Sequence, residues 1–476
     1  MVTQLKPVVE PLMAEVEMKK VAEAVGRARK AQAIARTFTQ REVDDVVRAV
    51  SWACYQDEHA RTLAELSVRE TGMGNEPDRV LKVRRKALMM MRDLAHAPSV
   101  GVIGSDRKTG LTEIAKPVGV VAALCPSTHP ATDLMAKAMM VLKGRNAMVA
   151  SPSPGAIETS ELACTFIRHE IERIGAPADL IQIIHRPSKA AAVELMRRCD
   201  AIAVTGSASN VRAASISGAP VYAGGAGNVP VVIEPSADLA KAAADIALSK
   251  TFDYATACSS ESALVIQETV YDEMVAQLVQ QGGAVLSPVD RAKLAETMWP
   301  SGRLNPKIVG RAADIVAQTA GFMLPEDGAR FFIVEEGGIG PGFEFSGEKI
   351  TVTLAVYRYA DFDDAVSTVQ KILAHQGAGH SCGIHTSDLN HALQLAERAD
   401  VARVIVNQPQ GPAEAGSFTN GLPATMILGC GTWQGNSVSG NITYEHFLNR
   451  TYLAQPLPER VPTENELWGE YLRTHR

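Results

Sequence analysis

The sequence predicts an α/β protein with two doubly wound parallel-sheet domains. Three observations support this prediction: the length of the chain, the alternation of short apolar runs with helix-length segments, and a second stretch of that alternation in the C-terminal half. The 476 residues exceed what one hydrophobic core usually serves. Strands that alternate with helices are typical of parallel sheets covered by helices on both faces.

The first part of the chain, from about Met18 to Leu94, is predicted to be helical. Its segments "KKVAEAVGRARKAQAIART" and "EVDDVVRAVSWACYQDEHARTLAELSVRETG" place apolar residues three and four positions apart, and the second ends at a glycine. Short apolar runs ended by Pro, Gly or Ser then follow, which predicts strands: "PVGVVAALCP", "NAMVASP", "LIQIIHRP", "AIAVTGS" and "VPVVIEP".

A second α/β stretch is predicted after Glu234. "DLAKAAADIALSK" has a helical pattern, "SALVIQETVYDEMVAQLVQQ" predicts a strand followed by a helix, and "ITVTLAVYRY" and "ARVIVNQ" predict strands. The segment that begins at "GCGTWQGNSVSG" is rich in Gly and Asn and then alternates, which predicts a loop followed by an extended arm.

Composition limits the possible partners. Apolar residues make up 46% of the chain, charged residues 21%, and the net charge is −6, so neither a nucleic-acid groove nor a membrane-surface patch is expected. The N-terminus has no basic segment followed by an apolar one, and "VGVVAALC" is too short to span a bilayer. We therefore expect a cytoplasmic protein that acts on a small molecule.

The seven cysteines include one in an unusual setting. They are odd in number and form no C-x-x-C pair, so neither a disulfide framework nor a metal site is expected. Cys258, in "TFDYATACSSES", lies between a predicted helix and a predicted strand, among small residues that leave a thiolate room to attack. Its position alone supports a buried structural thiol and a nucleophile about equally, and any of eleven histidines could assist it.

Ligands of parallel sheets bind beyond the carboxyl ends of the strands. The residues there are "PSTHPATD", "SPSPGA" and "TGSASN". In the last of these, Gly206, Ser207 and Ala208 would leave backbone N–H groups free to face a phosphate. An ordinary tight turn explains the segment equally well, and no complete G-x-G-x-x-G is present.

Several long blocks resemble the aldehyde dehydrogenase superfamily, and within it the coenzyme A-acylating branch. They include "KPVGVVAALCPSTHPATDLMAKAMMVLKGRNAMVASPSPGA", "SKTFDYATACSSESALVI" and "LGCGTWQGNSVSGNITYEHFLN", and the resemblance extends from about Val16 to Leu453. It implies that Cys258 is the catalytic nucleophile. It also implies a nucleotide-binding domain with N-terminal helices over residues 1–234, of which about 99–116 join an oligomerisation arm, a catalytic domain over 235–427, and a cofactor-side loop and arm over 428–476.

The resemblance further implies NAD as cofactor, with NADP possible, coenzyme A as co-substrate, and a homodimer or homotetramer. It assigns cofactor binding to residues at the strand ends, in the glycine-rich loop "GGAGNVP" (224–230) and in "SGEKITV". They are Pro126, Ser127, Ser151, Pro152, Ser153, Thr205, Gly206, Ser207, Gly225, Gly227 and Glu348.

Gly224 is the position that favours the acylating branch. Acid-forming relatives carry a glutamate there, and that glutamate activates the water that cleaves the acyl-enzyme. Glycine cannot deprotonate water, so an acyl group on Cys258 is expected to persist until a stronger nucleophile, such as the thiolate of coenzyme A, arrives. A carboxylate elsewhere in the chain could replace the missing base, which would make the enzyme acid-forming.

His129 stands where the resemblance places the asparagine that donates a hydrogen bond to the oxyanion. We predict that its imidazole takes over this role, and a neighbour such as Thr128 is the alternative. If His129 were protonated, it would also favour small anionic aldehydes.

Further departures from the family lie at Ser153, Gly155 and Val352, where relatives carry histidine, arginine and proline. Together with His129 they leave open a third hypothesis beside the acylating and the acid-forming enzyme. In it, the chain is a catalytically weakened family member that acts as a binding or scaffold protein.

Overall fold

The computed structural model describes residues 6–206 and 208–475. The predicted α/β class with parallel sheets is confirmed. Four helices come first, and Asn75 caps the last of them by accepting a hydrogen bond from the backbone N–H of Asp78 at 2.9 Å. The helices are α1 (Lys6–Ala35), α2 (Gln40–Tyr55), α3 (Asp57–Thr71) and α4 (Glu76–Leu94).

The first parallel sheet has the strand order of a doubly wound nucleotide-binding unit. Its central strand comes first in the chain, two strands follow on one side, and the last two lie on the other. The strands are β3 (Val120–Cys125), β4 (Ala147–Pro152), β5 (Ile181–Ile183), β6 (Ala201–Thr205) and β7 (Val221–Gly224), in the spatial order β5-β4-β3-β6-β7. Helices α5 (Pro130–Lys143), α6 (Ile157–Arg173), α7 (Lys189–Arg198) and α8 (Ala208–Ser215) connect them.

The second parallel sheet has seven strands and its own hydrophobic core. The strands are β8 (Val229–Ile233), β9 (Glu261–Gln267), β10 (Gly283–Val285), β11 (Phe331–Glu335), β12 (Thr353–Tyr359), β13 (Cys382–His385) and β14 (Val404–Val406), in the order β10-β11-β12-β9-β8-β13-β14. The helices are α9 (Leu239–Thr251), α10 (Tyr271–Gln280), α11 (Pro288–Met298), α12 (Ala313–Ala320), α13 (Phe362–His375), α14 (Leu389–Arg398) and α15 (Gln410–Glu414).

One domain boundary differs from the sequence prediction. Strand β8 pairs with β9 and β13, so the second sheet begins before residue 234, where the sequence placed the boundary. The apolar run "VPVVIEP" does predict a strand, but its neighbours in the sheet lie about 30 and 150 residues further along the chain. Sequence patterns do not show to which sheet such a strand belongs.

The arm is a separate antiparallel sheet. Its strands come from both ends of the chain, and they agree with the segments predicted to form it: β1 (Gly101–Asp106), β2 (Leu111–Pro117) and β17 (Leu448–Ala454), in the order β1-β2-β17. The chain also contains the two-stranded sheet of β15 (Leu428–Cys430) and β16 (Ser439–Asn441) and the C-terminal helix α16 (Glu464–His475).

Asn146 connects the arm to the first sheet. Its Oδ1 accepts hydrogen bonds from the backbone N–H groups of Val118 and Gly119 at 2.7 and 2.9 Å. Its Nδ2 donates to the carbonyls of Val141 and Phe447 at 3.0 and 2.8 Å. The side chain is fully buried, so all four contacts are made away from water. No helix among the described residues is long and apolar enough to cross a membrane.

Candidate active site

Three turns meet at the carboxyl edge of the first sheet. Strands β4, β3 and β6 are neighbours, and each ends in residues predicted to bind the cofactor. Ser151 and Pro152 end β4, Pro126 and Ser127 follow β3, and Thr205 ends β6 with Gly206 directly after it. The backbone N–H of Ser153 donates to the carbonyl of Cys125 at 3.0 Å, which joins the first two turns. Ser207 lies outside the described residues.

Cys258 differs in exposure from the other six cysteines. All six are buried, whereas Cys258 is partly exposed. It lies between a short turn that follows α9 and the start of β9. Three consecutive residues of that turn, Asp253, Tyr254 and Ala255, have left-handed φ angles of 49°, 52° and 56°. Such a run is unfavourable for L-residues and persists only where surrounding contacts hold it.

Asp253 provides those contacts. Its Oδ1 accepts hydrogen bonds from Arg79 Nε at 3.2 Å and from the backbone N–H of Asn75 at 3.1 Å. Its Oδ2 accepts from Lys82 Nζ and, at 2.7 Å, from Thr256 Oγ1. The carboxylate is fully buried, and the charges of Lys82 and Arg79 outweigh burial and lower its pKa to about 2. A buried ion pair between α4 and the turn therefore fixes the approach to Cys258.

The glycine-rich loop packs directly against the nucleophile's backbone. The backbone N–H of Gly227 donates to Glu348 Oε1 at 2.9 Å. A Cβ at Gly227 would lie 2.0 Å from the carbonyl oxygen of Cys258, and one at Gly225 would lie 2.5 Å from Gln434 Oε1. Gln434 also holds the loop, since it accepts from the N–H of Ala226 and donates to the carbonyl of the same residue, both at 2.9 Å. Side chains at these two glycine positions would displace their neighbours.

The Cys258 thiol is protonated at neutral pH. Burial raises its pKa well above the ordinary value, and the nearby charges of Glu348 and Glu414 raise it further. Burial also raises the pKa of Glu348, to about 7. A cavity of about 10 Å³ lies beside both residues and is lined on its far side by Lys250 and Lys349. Formation of the thiolate therefore requires a group that accepts the proton.

Comparison with known proteins identifies the family. The model of the aldehyde dehydrogenase family matches residues 5–293. The chain belongs to this family. It is 44% identical to the sulfoacetaldehyde dehydrogenase (acylating) of Cupriavidus necator, over 97% of this chain and 94% of the relative.

A more distant relative and a solved structure agree with this assignment. The chain is 34% identical to the succinate-semialdehyde dehydrogenase (acetylating) of Clostridium kluyveri, over 94% of this chain and 99% of the relative. The crystal structure of an acetylating aldehyde dehydrogenase from Geobacillus thermoglucosidasius superposes with a TM-score of 0.91 at 36% identity, covering 95% of this chain and 99% of that one.

His129, the predicted oxyanion donor of this family member, lies at the start of α5. The ring is buried, and its Nδ1 lies 3.5 Å from Lys82 Nζ, which also donates to Thr256 Oγ1 at 3.0 Å. Burial and the charges of Lys82 and Arg79 lower the pKa of His129 well below its ordinary value. A lowered pKa disfavours the protonated ring, and with it the attraction of anionic aldehydes by a charged His129. Its role as a neutral hydrogen-bond donor stays a prediction.

Sequence reasoning did not find a second buried group near the nucleophile. His380 Nδ1 lies 3.1 Å from both Ser381 Oγ and Glu414 Oε1, and Ser381 Oγ donates to Glu414 Oε2 at 2.8 Å. The Nε2 atom of His380 is buried without a hydrogen-bond partner among the described residues. Burial lowers the pKa of His380, which leaves a neutral base. The segments "HQGAGHSCGIHT" and "GPAEAG" gave no signal for this pairing, because neither has a catalytic spacing of its own.

We predict that Gly227→Ala reduces activity by about 100-fold or more, because the added methyl group must displace the backbone of Cys258 from its position. The rate of aldehyde oxidation by the purified variant tests this. Gly26→Ala, on α1, is the matched control, since nothing lies within 4 Å of a Cβ there. Unchanged activity in Gly227→Ala would show that the loop is not in close contact with the nucleophile.

Proposed function

We propose that the protein is a coenzyme A-acylating aldehyde dehydrogenase that uses NAD or NADP. The observation that carries the proposal is Gly224, at the end of β7. It stands where acid-forming relatives carry their base, and a Cβ there would lie 3.3 Å from the backbone nitrogen of Leu428. The site thus has no carboxylate at this position, and a side chain there would make a tight contact with the backbone of Leu428. The relatives' names and the arrangement around Cys258 support the same activity.

The strand-end turns and the loop fit a dinucleotide. Backbone approaches closely where Gly225 and Gly227 have no side chain, and Glu348 is held at the same loop through the N–H of Gly227. The nicotinamide cofactor supplies an acceptor for the hydride. Pro126, Ser127, Ser151, Pro152, Ser153, Thr205 and Gly206 would line its path along the sheet edge, as would Ser207 beyond the described residues.

The chemistry centres on Cys258. Its thiol loses a proton, and the sulfur forms a bond to the aldehyde carbon, which leaves an oxyanion that His129 and the N–H of Cys258 stabilise. Loss of hydride, with its electron pair, from the same carbon gives a thioester on Cys258. The thiolate of coenzyme A then bonds to the thioester carbon, and the bond from that carbon to the Cys258 sulfur breaks. The acyl group passes to coenzyme A, and the Cys258 thiolate recovers its proton.

His380 is placed to accept the proton of coenzyme A. A neutral imidazole with Glu414 beside Nδ1 and a free Nε2 is the usual arrangement of a general base. The charge of Glu414 raises the pKa of Cys258, which supports a role for this pair near the thioester.

The proposed substrate is a small anionic aldehyde. Sulfoacetaldehyde is the first candidate, because the 44% identical relative is a sulfoacetaldehyde dehydrogenase (acylating). A homodimer or homotetramer held through the arm is supported by the exposure of Tyr452, Leu453 and Leu457. Free thiols at all seven cysteines support a cytoplasmic location.

The test of the proposed activity is NADH formation by purified protein with sulfoacetaldehyde, succinic semialdehyde, acetaldehyde and propionaldehyde, with and without coenzyme A. We expect sustained turnover only with coenzyme A, because Gly224 stands where acid-forming relatives carry the glutamate that activates water. Equal turnover without coenzyme A would show acid formation. No turnover with any aldehyde, and no change in Cys258→Ala, would show a non-enzymatic family member.

His380→Gln tests the general base. We expect the first, single-turnover burst of NADH to stay within about threefold of wild type, while steady turnover with coenzyme A falls by about 100-fold, since general bases contribute on that order. The exposed histidine variant His169→Gln is the control. If the burst falls as much as the steady turnover, His380 instead accepts the proton of the Cys258 thiol. If the turnover does not change, His380 has no catalytic role.

A further inference from the structure

Helix α4 carries a row of buried cations on the side that faces the active site. Arg79, Lys82 and Lys86 are spaced three and four residues apart, which places them on one face of the helix. Arg79 and Lys86 are each only 6% exposed, and the side chain of Lys82 is 12% exposed. Long cationic side chains are rarely buried unless they are paired.

The three cations of this row have a single acidic partner between them among the described residues. Arg79 and Lys82 share one carboxylate, that of Asp253. Among the residues that the structure describes, Lys86 has no carboxylate within 4.0 Å, and its Nζ donates to the carbonyl of Ala415 at 2.7 Å. Asp93, whose charge reaches Lys86, is already paired with Arg92 at 2.6 Å. Burial of the unpaired ammonium lowers the pKa of Lys86 to about 7, so a bound anion would stabilise its charged form.

Lys86 is linked to the chain around Cys258 through two segments. On one side, one turn back along α4, Lys82 contacts Thr256, two residues before the nucleophile. On the other side, Ala415 follows Glu414, whose charge acts on the Cys258 thiol. We expect a small aldehyde bound to Cys258 to lie in the space beside these two segments. The acidic group of a two-carbon aldehyde lies one carbon from the reacting carbonyl, so the cation that binds it must border this same space.

The segment beyond Ala415 is also held by basic residues. Arg92 Nη1 donates to the carbonyl of Ser417. The guanidinium groups of Arg85 and Arg92 lie 5.5 and 5.7 Å from the ring centroid of Phe418, which is 48% exposed. These cations increase the positive potential around the segment that follows Ala415.

We propose that Lys86 is the specificity-determining residue for an anionic aldehyde: its ammonium binds the sulfonate or carboxylate of the substrate while Cys258 attacks the carbonyl. This inference rests on the proposed acylating activity and names the group that selects among its substrates. Lys82 is a positioning residue, because its charge is committed to Asp253.

The phosphates of coenzyme A or of the nucleotide are a second possible source of the anion. The turns predicted to hold them lie at the ends of β3, β4 and β6, and among the described residues Lys86 makes its hydrogen bond to Ala415 and not to a residue assigned to them. If Lys86 binds the substrate, its substitution should change the kinetics with the aldehyde. If Lys86 binds a phosphate, its substitution should change the KM for coenzyme A or NAD.

The experiment compares Lys86→Gln, Lys86→Arg and wild type with sulfoacetaldehyde and with the neutral propionaldehyde, each with saturating coenzyme A and NAD. Glutamine keeps a donor for Ala415 but removes the charge. We expect kcat/KM of Lys86→Gln to fall by about 100-fold for sulfoacetaldehyde and to stay within about threefold for propionaldehyde, since truncating one partner of a buried charged pair costs on this order. Lys86→Arg should restore much of the loss, and the KM values of both cofactors should not change.

Arg84→Gln is the matched control, since it removes one charge from the same helix on the side where Arg84 pairs with Asp57 at 3.0 Å. It should alter neither substrate. Equal losses for both aldehydes in Lys86→Gln, or none for either, would overturn the inference. An altered KM for coenzyme A or NAD alone would reassign Lys86 to a phosphate. If the wild-type enzyme oxidises propionaldehyde but not sulfoacetaldehyde, the acylating activity is retained and the anion site is excluded.

Discussion

The geometry of the site depends on one buried carboxylate. Asp253 bonds to Arg79 and Lys82 of α4 and to Thr256 of its own turn, and these contacts hold three residues in left-handed conformation directly before Cys258. Loss of one partner of a buried ion pair costs on the order of 3–5 kcal/mol, more than most single contacts contribute. The pKa of Asp253 is lowered to about 2, so its contribution to stability is complete above the ordinary aspartate pKa and is lost only as pH falls through about 2.

The same arrangement explains why the enzyme can retain an acyl group. Glycine at 225 and 227 lets the loop reach the backbone of Cys258, and glycine at 224 leaves no side chain that could activate water. Burial and the nearby carboxylates keep the free thiol protonated, so reactivity depends on proton acceptors near the nucleophile. Retention of the thioester and its transfer to a second thiol thus follow from the residues around the sulfur.

The sequence predicted those features that depend on local pattern. The parallel sheets, the three strand-end turns and the position of Cys258 between a helix and a strand follow from apolar runs, turn residues and small neighbours. The ion pairs were not predictable, because Asp253 and its partner Arg79 are 174 residues apart and nothing in either segment indicates the other. His129 was found from its alignment with the family, but its neutral state depends on burial and on Lys82, which only the fold reveals.

The most direct test of the account is the intact mass of the enzyme after it is mixed with aldehyde and NAD in the absence of coenzyme A. The account predicts one acyl group on each chain, located at Cys258, that remains for minutes and disappears once coenzyme A is added, with release of the acyl thioester. An acyl group that disappears at the same rate without coenzyme A, with release of the free acid, would contradict it.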